Sequence, residues 1–469
     1  MNFTGLIAAV CAVVAGAVCV SKISSNNKAK IKFAENDDDF ASLSGWPLLG
    51  NLLDIISFGQ AKKLSEITVP VWLSPPGMVR RLAIFDPLIT RRVLGTNTPN
   101  IALLGSRQYA AFLGPSSVFG LAGLEHKRVR GLSAKAVSKS TVRLYFENIK
   151  RLSKDTVESM AADSNGSKPI DVNKYFEKFA YDSICAFMVA SESANGKILS
   201  GLYIEYMRFA AGLTAVVFPH WMDFNDDIKK GIQARAKISE KLKIIISERR
   251  QELENGIEFA DALSMFIESR DSEGNFLTND DIVNLFFALQ FAGFETTSKQ
   301  LATMYYQLTH CISQTDLQLL RQEVSQPSAL ESEQLLSALP TLDAFIKESM
   351  RALPVLPAFA HIFLEDITID GKLIKSGVTV APYRDRTMFS VENSEIFKLE
   401  RFLGENAFDK TNAAEYMPFG YGDRMCLGMH LAKMEMKLLI AVTLKSFELE
   451  KSGNKVKFTR YPTQFARCK

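Results

Sequence analysis

Cys426 is the residue whose surroundings most favour chemistry. It lies in the stretch PFGYGDRMCLGMHLA, residues 418–432, close to Gly420, Gly422 and Gly428. Glycine adopts backbone conformations that other residues resist, so amide groups could be directed at the sulphur. A helix is predicted to begin just after Cys426, and its positive end favours a thiolate. An isolated cysteine is commonly a small buried hydrophobe, but these flanks favour a functional thiolate.

A thiolate at this position could attack a substrate or bind a metal. A nucleophilic cysteine needs a histidine base, and the nearest histidine, His430, lies on the predicted helix, where a surface role is expected. A thiolate shielded by apolar neighbours suits a soft metal better than acyl transfer. Zinc would need several further ligands, whereas iron held in a macrocycle needs one protein ligand. The residues therefore favour a soft metal over acyl transfer at Cys426.

Composition excludes several classes of protein. The net charge of +3 is small for 469 residues, and acidic and basic residues alternate, so nucleic-acid binding has no electrostatic basis. The six cysteines are scattered without paired spacing, which fits neither a disulfide framework nor a zinc site. These features predict a catalytic part in a reducing compartment and a small-molecule partner.

The N-terminal segment predicts a membrane anchor. Residues 3–20 form an uncharged apolar run that, as a helix, nearly spans a hydrocarbon core. Lysines follow this run and no basic residue precedes it, which favours an uncleaved anchor over a signal peptide and places the rest of the chain in the cytoplasm. No later polar stretch is long enough for a flexible linker. We therefore expect an anchor at 1–21, a linker at 22–43 and one large domain at 44–469.

Apolar periodicity predicts a mainly α fold with a minor β portion. Apolar residues recur three and four apart in several segments, whereas β-branched residues alternate in a few short ones. The predicted helices include 141–160, 176–190 and 232–253, and the predicted strands are 78–84, 361–374 and 377–383.

The longest predicted helix runs from Asn279 to about Ser313 and contains an unusual middle. Gly293 costs about 1 kcal/mol relative to alanine in a helix interior, and two β-branched residues follow at Thr296 and Thr297. A threonine hydroxyl can bond the carbonyl one turn earlier and loosen the helix into a groove. A tight helix crossing would also favour glycine here, so both interpretations stay open.

Three further charged residues predict a structural network. Glu348 and Arg351 in KESMR stand three apart on one helical face, close enough to pair. Arg401 stands between apolar residues in FKLERF, where a buried guanidinium would need a carboxylate. We expect these three side chains to form an ion-pair network that stabilises the fold.

Taken together, these stretches resemble the cytochrome P-450 family. Its haem-binding signature, Phe-x-x-Gly-x-Arg-x-Cys-x-Gly, matches at every fixed position from Phe419 to Gly428. AGFETT, residues 292–297, is similar to the family's oxygen-activation motif, ESMR to its Glu-x-x-Arg pair and FKLERF to its Pro-Glu-Arg-Phe segment, with Leu399 in place of proline. The motifs occur in the family's order and spacing. The resemblance implies one large P-450-type domain behind an N-terminal transmembrane helix.

The resemblance also implies a haem b site and a catalytic pair. Cys426 corresponds to the axial thiolate ligand of the haem iron, and Thr296 with Glu295 corresponds to the residues that deliver protons to the oxygen pocket. His361 falls where many members have a propionate-binding arginine, and its charge would depend on pH. The other residues matched to the haem are Phe419 beside the sulphur, Arg424, Arg130 and His126 at the propionates, Gly428 in the loop, and Ala292 above the macrocycle.

The implied activity is oxygen insertion by a haem-dependent monooxygenase. Its substrates would be O2 and a lipophilic molecule of the sterol, retinoid, isoprenoid or fatty acid type, and Phe291 and Phe359 are predicted to line the pocket unless they are core residues. Electrons would come from NADPH through a separate flavoprotein reductase. The expected setting is a single-pass monomer in the endoplasmic reticulum membrane, with its catalytic domain facing the cytoplasm.

Two other functions are compatible with the same motifs. A haem-thiolate isomerase or dehydratase would rearrange hydroperoxides without O2 or a reductase, but the family's examples tend to lose the threonine and the acid that Thr296 and Glu295 supply here. A non-catalytic haem-binding protein would need Cys426 but neither of those two residues. The monooxygenase is therefore favoured.

Overall fold

A computed structural model of the chain describes most of the region that carries the motifs. It describes residues 81–95, 100–165, 169–190, 193–217, 225–356, 358–369, 371–383 and 391–449, and the short segments 41–42, 71–73, 457–459 and 465–467. The predicted anchor, residues 1–21, lies outside these ranges. Among the described residues, no helix combines the length and apolar character needed to cross a bilayer.

Helices form most of the described chain, as the apolar periodicity predicted. The first eight are α1 (Pro87–Leu94), α2 (Ser106–Leu113), α3 (Gly123–Ala134), α4 (Lys139–Val142), α5 (Phe146–Ser164), α6 (Asn173–Met188), α7 (Ala194–Gly201) and α8 (Tyr203–Val217). The next eight are α9 (Asn225–Glu254), α10 (Ala262–Glu268), α11 (Asn279–His310), α12 (Gln314–Ser325), α13 (Glu333–Ser337), α14 (Pro340–Ala352), α15 (Phe408–Thr411) and α16 (Met429–Ser446).

The described strands are short. They are β1 (Ala41–Ser42), β2 (Val71–Leu73), β3 (Arg81–Ile84), β4 (Ile101–Leu103), β5 (His361–Phe363), β6 (Ile367–Ile369), β7 (Lys372–Ile374), β8 (Thr379–Pro382), β9 (Lys457–Thr459) and β10 (Phe465–Arg467). One mixed sheet has the order β1-β2-β3-β8-β5-β4, and β6–β7 and β9–β10 are antiparallel pairs. The prediction of a mainly α fold with a minor β portion is confirmed.

α11 is the central helix of the fold. Thr278 begins it with a capping box, because its hydroxyl accepts from Asp281 N at 3.1 Å and the Asp281 carboxylate accepts from Thr278 N at 3.0 Å. Its buried residues lie on several faces, since α6, α16 and other helices pack around it. The predicted start at Asn279 is confirmed, and the helix ends at His310.

The predicted helix over 141–160 begins later than expected. Residues 141 and 142 end the short helix α4, a 3-10 turn covers Arg143–Tyr145, and α5 then begins at Phe146. Ser138 caps α4 through a hydrogen bond from Thr141 N at 3.3 Å, so the chain enters this region through a separate turn. Periodicity alone does not show this break because apolar residues continue across it.

Candidate active site

Cys426 lies in an exposed loop at the N-terminal end of α16. Its backbone N–H donates to Phe419 O at 2.8 Å, and Met425 N donates to Gly422 O at 3.0 Å, so the loop folds back on itself. α16 begins at Met429, directly after Gly428. The exposed thiol stands near the positive end of that helix, which favours its ionised form. The buried-hydrophobe interpretation is therefore wrong for Cys426, although it describes Cys185, which is 2% exposed.

Gly422 places this loop against α1. Its φ of +69° lies in the left-handed region, and a Cβ at this position would lie 2.1 Å from Leu94 O. The adjacent Tyr421 ring receives the Arg91 guanidinium, whose Cζ lies 4.4 Å from the ring centroid. This close approach to α1 explains the glycine at position 422, independently of any contact with the sulphur.

Arg424 attaches the cysteine loop to the sheet. Its guanidinium donates to Ile101 O on β4 through Nε and Nη2 at 3.2 and 2.5 Å, to Val118 O at 3.0 Å and to Leu121 O at 2.7 Å. A guanidinium has about five N–H groups, so one remains for another acceptor. Burial, and then the nearby Arg130, lower the pKa of Arg424 to about 10. The expected propionate contact would therefore use charge and a single hydrogen bond.

Arg130 and His126 lie four residues apart on one face of α3 and point to the same region. Arg130 Nη2 donates to Met425 O at 2.7 Å, next to Cys426. Burial, and then the positive charges of Arg424 and Arg130, lower the pKa of His126 to about 3. His126 is therefore neutral at physiological pH and could offer a hydrogen bond but not a charge to an anion.

These side chains fit an iron porphyrin. Within the described part of the chain, neither Arg130 nor Arg424 forms an ion pair, although both are partly buried; Arg130 lowers the pKa of Arg424, and the negative charge of Asp423 raises the pKa of both. Negative charge at Cys426 raises the pKa of Arg130 and opposes the effect of burial. A thiolate together with two such guanidinium groups matches a ligand that has a central metal and carboxylate substituents.

His361 is buried in β5 near this cation pair. It is 3% exposed and stands opposite Val380 of β8 and Leu103 of β4. β4 is also the strand whose Ile101 carbonyl accepts from Arg424. The structure therefore places His361 on the sheet beside the strand that holds the cysteine loop.

The middle of α11 stays helical through its unusual residues. Thr296 is half-buried, and its hydroxyl donates to Ala292 O at 2.6 Å, one turn earlier, as its position predicted. A Cβ at Gly293 would lie 2.8 Å from Ile184 Cδ1 on α6. Of the two interpretations left open by the sequence, the tight helix crossing describes Gly293. The bare face of Gly293 therefore meets α6.

Glu295 faces the neighbouring helix α8. It is half-buried, and its negative charge adds to burial in raising the pKa of Tyr206 far above the ordinary tyrosine value. The Tyr206 ring packs against Phe294 with ring centroids 5.1 Å apart. The acid next to Thr296 therefore lies between α11 and α8.

Phe291 belongs to an aromatic group between α11 and α2. Its ring centroid lies 5.7 Å from that of Tyr109 and 5.5 Å from that of Phe119, and those two rings are 5.6 Å apart. Phe359 lies away from this group and meets His361 edge-on at 5.7 Å. The two residues predicted to line the pocket thus stand on separate elements.

Glu348 brings the three structural residues together. Its carboxylate accepts from Arg351 through two hydrogen bonds of 2.7 and 2.9 Å, and Glu348 is 0% exposed. Arg401 Nε lies 3.9 Å from Glu348 Oε1, and Arg401 Nη2 also donates to Asn393 O at 2.5 Å. The 3-10 turn Leu399–Phe402 forms with leucine in its first position, so proline is not needed for it.

Sequence reasoning missed a buried polar group behind Thr296. Thr297 Oγ1 lies 3.2 Å from Glu435 Oε2 on α16, and Ser183 of α6 faces the same carboxyl. The available signal was an acid inside MEMKLLIAV, a segment that is apolar apart from Glu435 and Lys437 and predicts a buried helix.

Comparisons with known proteins agree with this geometry. The family model described as Cytochrome P450 matches residues 41–467. A rat protein, cytochrome P450 26B1, is 29% identical over 394 residues, which cover 77% of this chain and 73% of that protein. Beta-amyrin 11-oxidase from Glycyrrhiza uralensis is 24% identical over 447 residues, covering 89% and 87%. The solved structure of retinoic acid bound cyanobacterial CYP120A1 has a TM-score of 0.74 at 20% identity, covering 90% of this chain and 96% of that one, and shows the same fold.

Proposed function

Because this chain belongs to the cytochrome P450 family of haem-dependent monooxygenases, we propose that it inserts one oxygen atom from O2 into a lipophilic substrate of the sterol, retinoid, isoprenoid or fatty acid type. Family membership implies a haem held by a cysteine thiolate, a small-molecule substrate, O2 and a redox partner. The observation that carries the proposal is the exposed Cys426 at the start of α16, in the loop that Arg130 and Arg424 hold.

In this proposal each residue of the cysteine loop has a separate task. Cys426 would ligate the iron, and a bound haem supplies redox chemistry whose O–O cleavage is favoured by an electron-donating thiolate. The backbone carbonyl oxygen of Phe419 holds the loop in shape by accepting a hydrogen bond from the Cys426 N–H. Arg130 and Arg424 would stabilise the propionates by charge, with His126 as a neutral donor. His361 would add a hydrogen bond from the sheet.

On the other side of the site, Thr296 and Glu295 would move protons. The Thr296 hydroxyl donates to Ala292 O. Its oxygen can accept a proton from a water molecule while the hydroxyl releases its own proton toward the oxygen site. Glu295 lies between α11 and α8 and could carry protons inward from the surface. Ala292 has a small side chain, which would leave room for the macrocycle beside the helix.

The substrate class rests on apolar residues and on the names of similar proteins. Phe291 contributes to the aromatic group with Tyr109 and Phe119, and Phe359 would supply a second apolar wall. One relative is named for beta-amyrin and one solved structure holds retinoic acid, and both compounds are lipophilic isoprenoids. A substrate that partitions into lipid would reach the enzyme most readily from a membrane.

The proposed setting follows from the same argument. Residues 1–21 would anchor a monomer in the endoplasmic reticulum membrane, with residues 44–469 facing the cytoplasm. A separate flavoprotein reductase would supply electrons from NADPH. The alternatives, a haem-thiolate isomerase or dehydratase and a non-catalytic haem-binding protein, would need neither this partner nor O2.

The substrate proposal is tested with a panel of ligands. The haem-loaded protein is titrated with a sterol, a retinoid, a linear isoprenoid, a long-chain fatty acid and a water-soluble sugar, which has no nitrogen to bind iron, and the shift of its main absorption band is recorded. We expect a saturable shift with at least one lipid and none with the sugar. That lipid should then be oxygenated in the presence of NADPH and a flavoprotein reductase. A shift with the sugar alone would contradict the proposed class.

The proton-delivery role of Thr296 is tested by Thr296→Ala. We expect the fraction of consumed electrons recovered as oxygenated product to fall by roughly tenfold or more, because the hydroxyl near the oxygen site is lost. Haem content should not change. Product and NADPH consumption are measured together, with Thr309→Ala as the control, since Thr309 donates to Tyr305 O at 2.9 Å on the same helix. Unchanged coupling in Thr296→Ala would remove this role.

A further inference from the structure

Glu435 is a buried acid between the two helices that carry the proposed active site. It is 2% exposed and lies on α16, the helix that begins just after Cys426. Its carboxyl points to α11, where Oε2 lies 3.2 Å from Thr297 Oγ1. Thr297 is the neighbour of Thr296. This hydrogen bond therefore links α16, which follows the Cys426 loop, to α11, which carries Thr296.

The other oxygen of the Glu435 carboxyl has no hydrogen bond among the described residues. Among the described residues, Glu435 Oε1 has no partner, and neither has the Ser183 hydroxyl of α6, which is 0% exposed. The Ser183 hydroxyl lies near enough to lower the carboxyl pKa without reaching hydrogen-bond geometry. Buried polar atoms without partners are costly, and a native protein tolerates few of them. The stability of this buried cluster therefore depends on whether the Glu435 carboxyl is protonated.

The surroundings favour the neutral acid. Burial raises the pKa of Glu435 to about 8, and the polar groups that face it are Thr297 from α11 and Ser183 from α6. Three cations of the same helices have other partners: Lys299 of α11 pairs with Glu177 of α6 at 2.8 Å, Lys437 of α16 pairs with Asp343 of α14 at 2.8 Å, and Lys433 Nζ lies 5.4 Å from the centroid of the Phe419 ring. The Thr297 hydroxyl donates to Glu435 Oε2, and this bond alone would favour the ionised form, but burial outweighs it because an ionised Glu435 would be a buried charge without a counterion.

A second polar contact fixes the same pair of helices farther along. The hydroxyls of Tyr305 on α11 and Thr443 on α16 are hydrogen-bonded, and both residues lie in the interior. Apolar packing between two helices permits small sliding movements, whereas hydrogen bonds at two levels specify their register. The contact nearer to Thr296 is the one that contains the titratable group.

We propose that Glu435 is a positioning residue that, as a neutral acid, holds the Thr296–Thr297 segment of α11 in register with the Cys426 end of α16. Ionisation of Glu435 leaves a buried charge without a counterion, and hydration of that charge opens the packing around the segment. The inference rests on the proposed function for the importance of Thr296. The protonation state and the contact itself can be measured without any catalytic activity.

The first test is infrared spectroscopy of the haem-loaded full chain. Glu435→Gln keeps the shape of the side chain but cannot ionise. In the difference spectrum between the native protein and Glu435→Gln, we expect the carbonyl band of a protonated carboxylic acid near neutral pH, with loss of that band around pH 8. The exposed acid Glu331 supplies the control variant, Glu331→Gln, which should leave the band in place. A carboxylate band instead at neutral pH would overturn the proposal.

The second test is the pH dependence of the unfolding temperature. The folded protein holds a proton that the unfolded chain releases, so stability is full below the ordinary carboxyl pKa of 4.5 and falls as the pH rises to about 8. We expect a contribution to this fall of about 5 °C in the native protein, absent in Glu435→Gln. An equal fall in both proteins would assign it to another group and overturn the proposal.

The third test connects Glu435 to Thr296. In the native enzyme, we expect coupling of electron consumption to product to decline above about pH 8, whereas Glu435→Gln keeps its neutral-pH value. Thr297→Val removes the hydroxyl at similar volume and should reduce coupling at every pH. This variant tests the same contact without changing Glu435, in case a Glu435 variant folds poorly. Normal coupling in Thr297→Val would overturn the positioning role. Failure of the monooxygenase proposal would instead leave no coupled product in any variant while the infrared band persists.

Discussion

Replacing Cys426 with serine is expected to abolish the red-shifted carbon monoxide difference band of the reduced, haem-loaded protein. Serine has nearly the same volume as cysteine, but its hydroxyl does not ionise near neutral pH and cannot supply a thiolate. The loop should keep its shape, because the Cys426 N–H donates to Phe419 O through the backbone. Monooxygenase activity should be lost together with the band. The measurement is a reduced difference spectrum recorded at matched haem content.

Cys311→Ser is the matched control for this result. Cys311 is the C-cap residue that follows α11 and is partly exposed, so the same substitution is made away from the proposed iron site. The control should retain the band at its normal position. If Cys426→Ser also retained it, the axial ligand would be another residue, and the assignments of Phe419, Arg424 and Gly428 around the sulphur would lose their basis.

The sequence was most informative where a short segment carries both the chemistry and its local geometry. The loop from Phe419 to Gly428 identified the thiolate candidate, because glycine spacing and a following helix are local properties. The capping box of Thr278 and Asp281 at the start of α11 is likewise formed by residues close together in the chain. Such features depend on neighbours in the chain, so their residue types indicate them directly.

Features that depend on other elements were less predictable. The bare face of Gly293 could meet a cofactor or a helix, and only the position of Ile184 on α6 distinguishes the two. Arg424 has no local signal for the carbonyls of Ile101 and Val118 that accept from it, because they lie far away along the chain. The hydrogen bond from Thr297 to Glu435 is hidden for the same reason. Apolar periodicity indicates which faces are buried but not which faces meet.

The cation pair has a further consequence for assembly of the site. Arg130 on α3 lies close enough to Arg424 in the cysteine loop to lower the pKa of Arg424. Folding therefore brings together two positive charges that repel each other. An anionic ligand would reverse this unfavourable term. Binding of a group with carboxylate substituents should therefore stabilise the contact between α3 and the loop, as a ligand does when it binds only the folded state.

Replacing Glu348 with glutamine is expected to reduce the free energy of unfolding by about 3–5 kcal/mol, which is a large part of the stability of a typical domain. The substitution keeps the size of the side chain but leaves Arg351, which is 3% exposed, without its bidentate carboxylate. It also weakens the acceptor for Lys398 N, which donates to Glu348 Oε1 at 3.0 Å. Urea unfolding followed by circular dichroism measures the loss.

Glu125→Gln on α3 is the matched control for this buried pair. Glu125 also accepts from an arginine three residues later, with Arg128 Nη2 at 2.6 Å, but both side chains are substantially exposed. An exposed ion pair of this kind contributes at most about 1 kcal/mol, so the control should change stability little. Similar losses in the two variants would show that the Glu348 network does not depend on its burial.

The double variant Glu348→Leu with Arg351→Met distinguishes the attraction between the two charges from the free-energy cost of burying them. If the cost of Glu348→Gln arises from a buried guanidinium that has lost its counterion, removing both charges should recover part of the stability. Recovery should be incomplete, because Arg401 lies 3.9 Å from Glu348 and would also lose its nearest carboxylate, while its bonds to backbone carbonyls such as Asn393 O remain. A double variant less stable than Glu348→Gln would instead assign the stabilisation to the attraction within the ion pair.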